Sequence, residues 1–310
     1  MYRAGKKSFS LIVMIASLLL ASLVPASAQD ADLDQQQRAA LAAIPLITSD
    51  LPDGFRFVGE GYLTAGQAGG VGVDPAALTD AGFAGMYLST YHNNATGAHI
   101  FSYASVWTDE AAAESGFALL EDETVTNPGA DMTDTDLDAG SGSAELTTGT
   151  RDVDGTVRAV VDATFVIDRF VVGVSAETAQ DEPMDASAMQ ALVETLESRA
   201  NAVVEGQSPD GTDLSLPPTV LDIRPLGDEI QVGFLSASET ETIYGVSGSS
   251  LSNITASWVS GVRAGDGEGP AVVIAASRFG DGETAARAVE QSADLVPLTI
   301  EPQPVDIVIE

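Results

Sequence analysis

Carboxylates dominate the chemistry open to this chain. Asp134, Asp136, Asp138 and Glu145 hold the first, third, fifth and twelfth places of one stretch, the oxygen-ligand spacing of a calcium loop. Calcium is a hard cation that takes about six to eight oxygens, so the ligand set suits it. The stretch departs from such a loop at Ala139, where the sharp turn needs glycine, and at Ser141, where an aliphatic residue would stand. An acidic, solvated loop is the plainer expectation. His92 and His99 are the only imidazoles and flank one turn. Across a tight hairpin they would face each other, and an adjacent carboxylate would complete a metal site. A third set is aromatic: Tyr87, Tyr91, Phe101, Tyr103 and Trp107. Phe101, Tyr103 and Trp107 alternate along one strand face. They are either core or, if exposed, a stacking platform for a sugar or peptide.

Much other chemistry is excluded by composition. The 310 residues contain no Cys, so thiol nucleophiles, disulfides and thiolate metal sites are absent. There is no Gly-x-Ser-x-Gly elbow. Gly66 to Gly72 is glycine-rich without the spacing of a dinucleotide loop, and no cation stands near it. A pair of carboxylates would suffice for a glycosidase, but 46 acids single out no pair.

Residues 1–28 read as a secretory signal. Arg3, Lys6 and Lys7 form the basic region, Leu11 to Val24 the apolar run, and Ala26-Ser27-Ala28 the small-residue cleavage pattern. The run is shorter than the roughly 20 residues that span a bilayer, so cleavage after Ala28 and a soluble periplasmic or extracellular product are expected. The chain carries a formal charge of −33. All ten cations beyond the signal are arginines, which excludes Schiff-base chemistry and the lysine of a phosphate loop. Phosphate backbones and anionic membranes need clustered cations, so neither is an expected partner.

Elements to position these residues follow from periodicity. A short lead-in helix is expected within 29–45, and 64–82 as loop around a short turn. Met86 to Tyr91 and His99 to Trp107 read as a hairpin, followed by an Ala-rich helix from Glu110 to about Glu121 capped by Thr108-Asp109. Residues 122–143 are acidic and Gly/Ser-rich, hence loop. Glu145 to Arg151 and Thr156 to Asp168 flank Asp154-Gly155, a favoured hairpin turn. Phe170 to Ala176 is a strand. Ser187 to Val204 is a helix with Met189, Leu192, Val193 and Leu196 on one face. Strands, helix, strands, helix is an α+β order with an antiparallel sheet packed on helices. A complete domain over 46–205, a Pro/Gly linker over 206–219 and a partial second copy over 220–310 are expected. Ala104 to Asp109 aligns with Ala276 to Asp281 at an offset of 172, so the strand-hairpin-helix unit reads as a repeat. The second copy lacks what would complete its sheet, which suggests a truncated chain.

The leading functional expectation is an exported, acidic, non-enzymatic binding protein of the cell envelope, with a protein, peptide or carbohydrate ligand and no cofactor. The alternatives are an extracellular hydrolase that uses carboxylates alone and a calcium-stabilised adhesion module.

Overall fold

A computed structural model of the chain describes residues 33–68, 73–120, 131–153, 155–217, 224–236, 254–263 and 271–286. The expected targeting signal and cleavage site, and the C-terminal stretch on which the truncation expectation rests, lie outside the described residues.

The chain is α+β. Helix α1 (Gln35–Ala43) begins at Asp34, whose carboxylate accepts from the Gln37 backbone N–H while the Gln37 side chain accepts from the Asp34 N–H. That reciprocal cap satisfies two donors the first helical turn leaves unpaired. Strand β1 (Phe55–Leu63) follows, then two short helices, α2 (Ala65–Ala68) and α3 (Pro75–Asp80). These replace the loop expected over 64–82. Asp74 caps α3 and Pro75 supplies its preset first dihedral, a start signal that the glycine-rich surroundings mask. Strands β2 (Phe83–Asn93) and β3 (Ala98–Trp107) form the expected hairpin, and α4 (Glu110–Leu120) the expected helix.

Strand β4 (Asp131–Asp136) lies inside the segment expected to be loop. Its residues are poor strand formers, but pairing along β5 (Ala144–Val153) overrides that local preference. Strands β6 (Thr156–Ile167) and β7 (Phe170–Ala179) and helix α5 (Ala186–Val204) complete this part. The seven strands make one antiparallel sheet in the order β1-β2-β3-β7-β6-β5-β4.

Alternation along each strand gives the sheet two faces. The first carries Tyr87, Tyr91, Ile100, Ala104, Phe165, Val172, Val174 and Ala176, packed against α1 and the Met189, Leu192, Val193, Leu196 stripe of α5. From α5, buried Arg199 donates to the carbonyls of Ala43, Ile44 and Pro45 and pairs with Asp50 at 3.3 Å. It thereby satisfies carbonyls that the end of α1 leaves without helical partners. The second face is apolar only at one end. There Met86, Leu88, Phe101, Trp107, Val166 and Val171 pack under α2, α3 and α4. Gly116 of α4 rests on the Trp107 indole, where a Cβ would collide with the ring.

Strands β8 (Asp228–Leu235), β9 (Ile254–Arg263) and β10 (Ala271–Phe279) form a second antiparallel sheet in the order β10-β9-β8. Its Val232, Phe234, Ala256 and Trp258 join the same core as the first face of the large sheet. The Tyr87 hydroxyl donates to the Val232 carbonyl at 2.7 Å, and Arg38 pairs with Glu229 at 2.5 Å. The expected linker is accordingly packed as far as it is described. Thr212, Asp213 and Leu216 are buried, Asp210 accepts from Arg199, and Asp213 pairs with Arg278 at 2.5 Å. Strands β8-β9-β10 follow one another as β1-β2-β3 do, and Asp281 caps the turn after β10 through the Thr284 N–H as Asp109 does through the Ala112 N–H. The likeness stops at β10, which has no further partner strand among the described residues, whereas β3 continues into β7. No described helix is long and apolar enough to cross a membrane.

Candidate ligand-binding face

Beyond the end covered by α4, the second face of the large sheet turns polar, and strand register states which side chains stand together. One cross-strand row runs Thr90, Phe101, Ser175, Asp162, Thr147, Asp134 over β2, β3, β7, β6, β5 and β4. The next row on one side begins Arg56, His92, His99, Glu177, from β1 across to β7. The row on the other side reads Leu88, Tyr103, Gly173, Thr164, Glu145, Asp136. Arg151 and Arg158 face each other one step past Glu177.

At the centre, the Arg151 guanidinium pairs with the Glu177 carboxylate, each side chain 3% exposed. Burial pushes the Glu177 carboxyl upward from its ordinary range, against the opposing pull of Arg151. Asp162 is shifted upward by burial as well, against the pull of Arg151 and of the neighbouring Ser175 hydroxyl. Two carboxyls that resist ionisation beside one arginine are costly to place in a fold. Around them the Thr147 hydroxyl donates to Asp134 at 2.9 Å, and the Tyr103 and Thr164 hydroxyls share a hydrogen bond at 3.0 Å. The buried Thr90 hydroxyl has no hydrogen-bond partner among the described residues. Asp162, Tyr103, Arg158, His92 and His99 are half-buried, so the strip keeps contact with solvent.

The two histidines stand directly opposite each other, His92 on β2 and His99 on β3, with ring centroids 4.4 Å apart and planes tilted by 34°. Burial, then the neighbouring His92 and Arg158, lower the His99 pKa to about 4, so it is neutral at pH 7. Arg158 donates to the Gly97 carbonyl at 3.0 Å, which ties the turn of the β2–β3 hairpin to β6.

The other sequence-based candidates are distributed differently. Asp134 and Asp136 lie on β4, Glu145 lies on β5 opposite Asp136, and Asp138 is exposed in the connection between them. The stretch is therefore a hairpin and does not wrap around one point. Its connection is held on both sides of the sheet, because Glu197 of α5 accepts from the Gly140 N–H and Glu114 of α4 from Ser143. Among the described residues, no group of three or more His, Asp or Glu side chains is placed to hold a metal ion. The aromatic residues do not make one surface. Tyr87 and Tyr91 point to the first face and donate to the Val232 and Leu46 carbonyls, whereas Phe101, Tyr103 and Trp107 stand on the second. All but Tyr103 are buried.

Arg151, Asp162 and Glu177 escape a search for motifs because each lies on a different strand. Their signal is subtler: a single acid within the apolar runs of β6 and of β7. Such a residue is rarely buried unless paired.

No family model and no curated protein matches the chain. Among solved structures it is similar to the extracellular domain of PknH from Mycobacterium tuberculosis, at 11% sequence identity and a TM-score of 0.38, over 56% of this chain and 97% of that one.

Proposed function

We propose that the chain is an exported binding protein that recognises a polar ligand, a carbohydrate or a peptide, on the second face of its large sheet. The observation that carries this is the buried Arg151–Glu177 pair with Asp162 beside it. A buried ion pair contributes little to stability compared with apolar residues of the same volume, and the opposite face of the same strands is filled with such residues. Charge at this position fits recognition: the buried pair stands behind half-buried Asp162, Tyr103 and Arg158, which offer a ligand directional acceptors and donors. Export follows from the basic, apolar and Ala26-Ser27-Ala28 segments of the N-terminus, and an acidic surface keeps such a protein dispersed.

The test is a thermal-shift screen of saccharides and short peptides, repeated with Asp162→Asn and Tyr103→Phe. A ligand of the native state raises the melting temperature, and that rise should vanish in Asp162→Asn. A rise that survives both substitutions places the ligand elsewhere and overturns the proposal.

A second reading has its own observation. Asp162 and Glu177 are neighbouring carboxyls, both shifted upward by burial, and perturbed acids are what general acid catalysis requires. Turnover of a glycoside that disappears in Asp162→Asn would make the protein a hydrolase; binding without turnover sustains the first reading.

A further inference from the structure

We propose that His92 and His99 form a two-imidazole chelate for a late first-row divalent cation, bound most tightly as Cu2+, at the open end of the β2–β3 hairpin. The chain has two histidines in 310 residues, and the hairpin register sets them directly opposite each other. Two nitrogens that share one metal at about 2.0–2.1 Å each must lie within about 4.2 Å of one another. Centroids 4.4 Å apart put the two rings within that reach, and side-chain rotation that opens the 34° tilt between their planes brings a nitrogen of each onto one metal. Both residues are half-buried, so the cation has access and solvent can supply the remaining ligands. Imidazole favours copper, nickel and zinc over calcium and magnesium, and copper is the strongest binder of that series.

The backbone supports the pair. Arg158 fixes the hairpin turn through the Gly97 carbonyl, and His99 stacks on Phe101 with centroids 6.1 Å apart and planes 10° from parallel. Glu177 is the register neighbour of His99 on β7, but its carboxylate is engaged by Arg151. The site is therefore open, with two protein ligands. Two arginines oppose a bound cation: Arg56, the register partner of His92 on β1, and Arg158, which acts on His99; the net charge of −33 acts the other way and raises the local concentration of cations.

This inference is independent of the proposed ligand and is tested without it. The purified chain is titrated with Cu2+ and with Zn2+ in excess Mg2+, which occupies carboxylates on the acidic surface. Calorimetry should give one site per chain, and the electron paramagnetic resonance spectrum of the Cu2+ form should carry coupling from two nitrogens. His92→Gln and His99→Gln should each weaken binding by on the order of 100-fold, because each turns a chelate into a single contact. Arg56→Gln should tighten it severalfold, because it removes the exposed positive charge opposite His92 and leaves the Arg158–Gly97 hydrogen bond in place. His92, next to the turn, tolerates glutamine even if His99→Gln perturbs packing, and near-UV circular dichroism verifies the fold of both. Cu2+ coupling to oxygen alone, no Cu2+ binding in excess Mg2+, or affinity unchanged in His92→Gln would each overturn the proposal.

Discussion

The two faces of the large sheet are made by the same strands and differ in everything else. One is aliphatic and aromatic packing around the buried Ser89–Ser102 pair, shared by two helices and the second sheet. The other is apolar under α2–α4 and then carries Arg151 and Arg158, two upward-shifted carboxyls, a row of hydroxyls and both histidines of the chain. Alternation assigns successive residues to opposite faces, so β6 and β7 each hold both characters at once. The first face accounts for why the protein folds. The second holds groups that folding alone gives no reason to keep.

Substitutions can separate these roles, beginning with the largest effect. Phe165→Ala, on the first face at 0% exposure, should cost about 3–5 kcal/mol through lost transfer energy and a residual cavity, read from the urea midpoint. Glu177→Leu alone should cost about 3 kcal/mol because it removes the ion-pair partner of the buried Arg151 guanidinium. Arg151→Met with Glu177→Leu and Asp162→Asn, which removes all three charges of the cluster, should recover most of that loss or exceed the parent in stability. A triple substitution that stays as damaging as the single would mean that the polar strip is structural, and the contrast between the faces would collapse.

The acid limb of stability gives a smaller effect. The folded His99 pKa is about 4 against an ordinary 6.5, so between these values the unfolded chain binds more protons and stability falls as pH falls. His92 and Arg158 work in the same direction on His99, whereas Glu177 and Asp162, shifted upward, gain stability from protonation over an acidic window of their own. The comparison must therefore be differential. Chemical denaturation at pH 7 and at pH 4 should show that His99→Gln removes a loss on the order of 1 kcal/mol, the half-exposed ring being partly screened by solvent. An identical pH slope in parent and variant would refute the assignment.

The smallest expected effect concerns calcium. With Asp134 and Asp136 on one strand and Glu145 on the next, Ca2+ should raise the melting temperature only as much as Mg2+ at equal ionic strength, through screening of acidic repulsion. A calcium-specific rise, abolished by Asp134→Asn, would restore the Asp134–Glu145 stretch as a cation site.

Much of the fold was legible. The β2–β3 hairpin, α4, the β5–β6 hairpin, β7 and α5 all stand where periodicity, caps and the Asp-Gly turn place them. Those signals are local, and local chemistry decides them. Strand β4 was illegible because Asp131 to Asp136 forms a strand only by pairing with β5. Its acids also protect the sheet edge from further pairing. Strand β8 gave no signal recognised in the sequence. The packed course of 206–217 was hidden because a Pro/Gly composition describes turns and says nothing of Arg199 or Arg278 reaching into them.

For the site, the sequence by itself determined that thiol chemistry is absent, that no lysine follows Lys7, that acids abound and that the histidines flank one turn. Which residues meet was decided only by tertiary structure. Tyr87 and Tyr91 were separated from Phe101 and Trp107 by the pleat, while Arg151, Asp162 and Glu177 were brought together from three strands. The physical reason is that strand alternation is a local property, whereas register and strand order are set by the burial of whole faces.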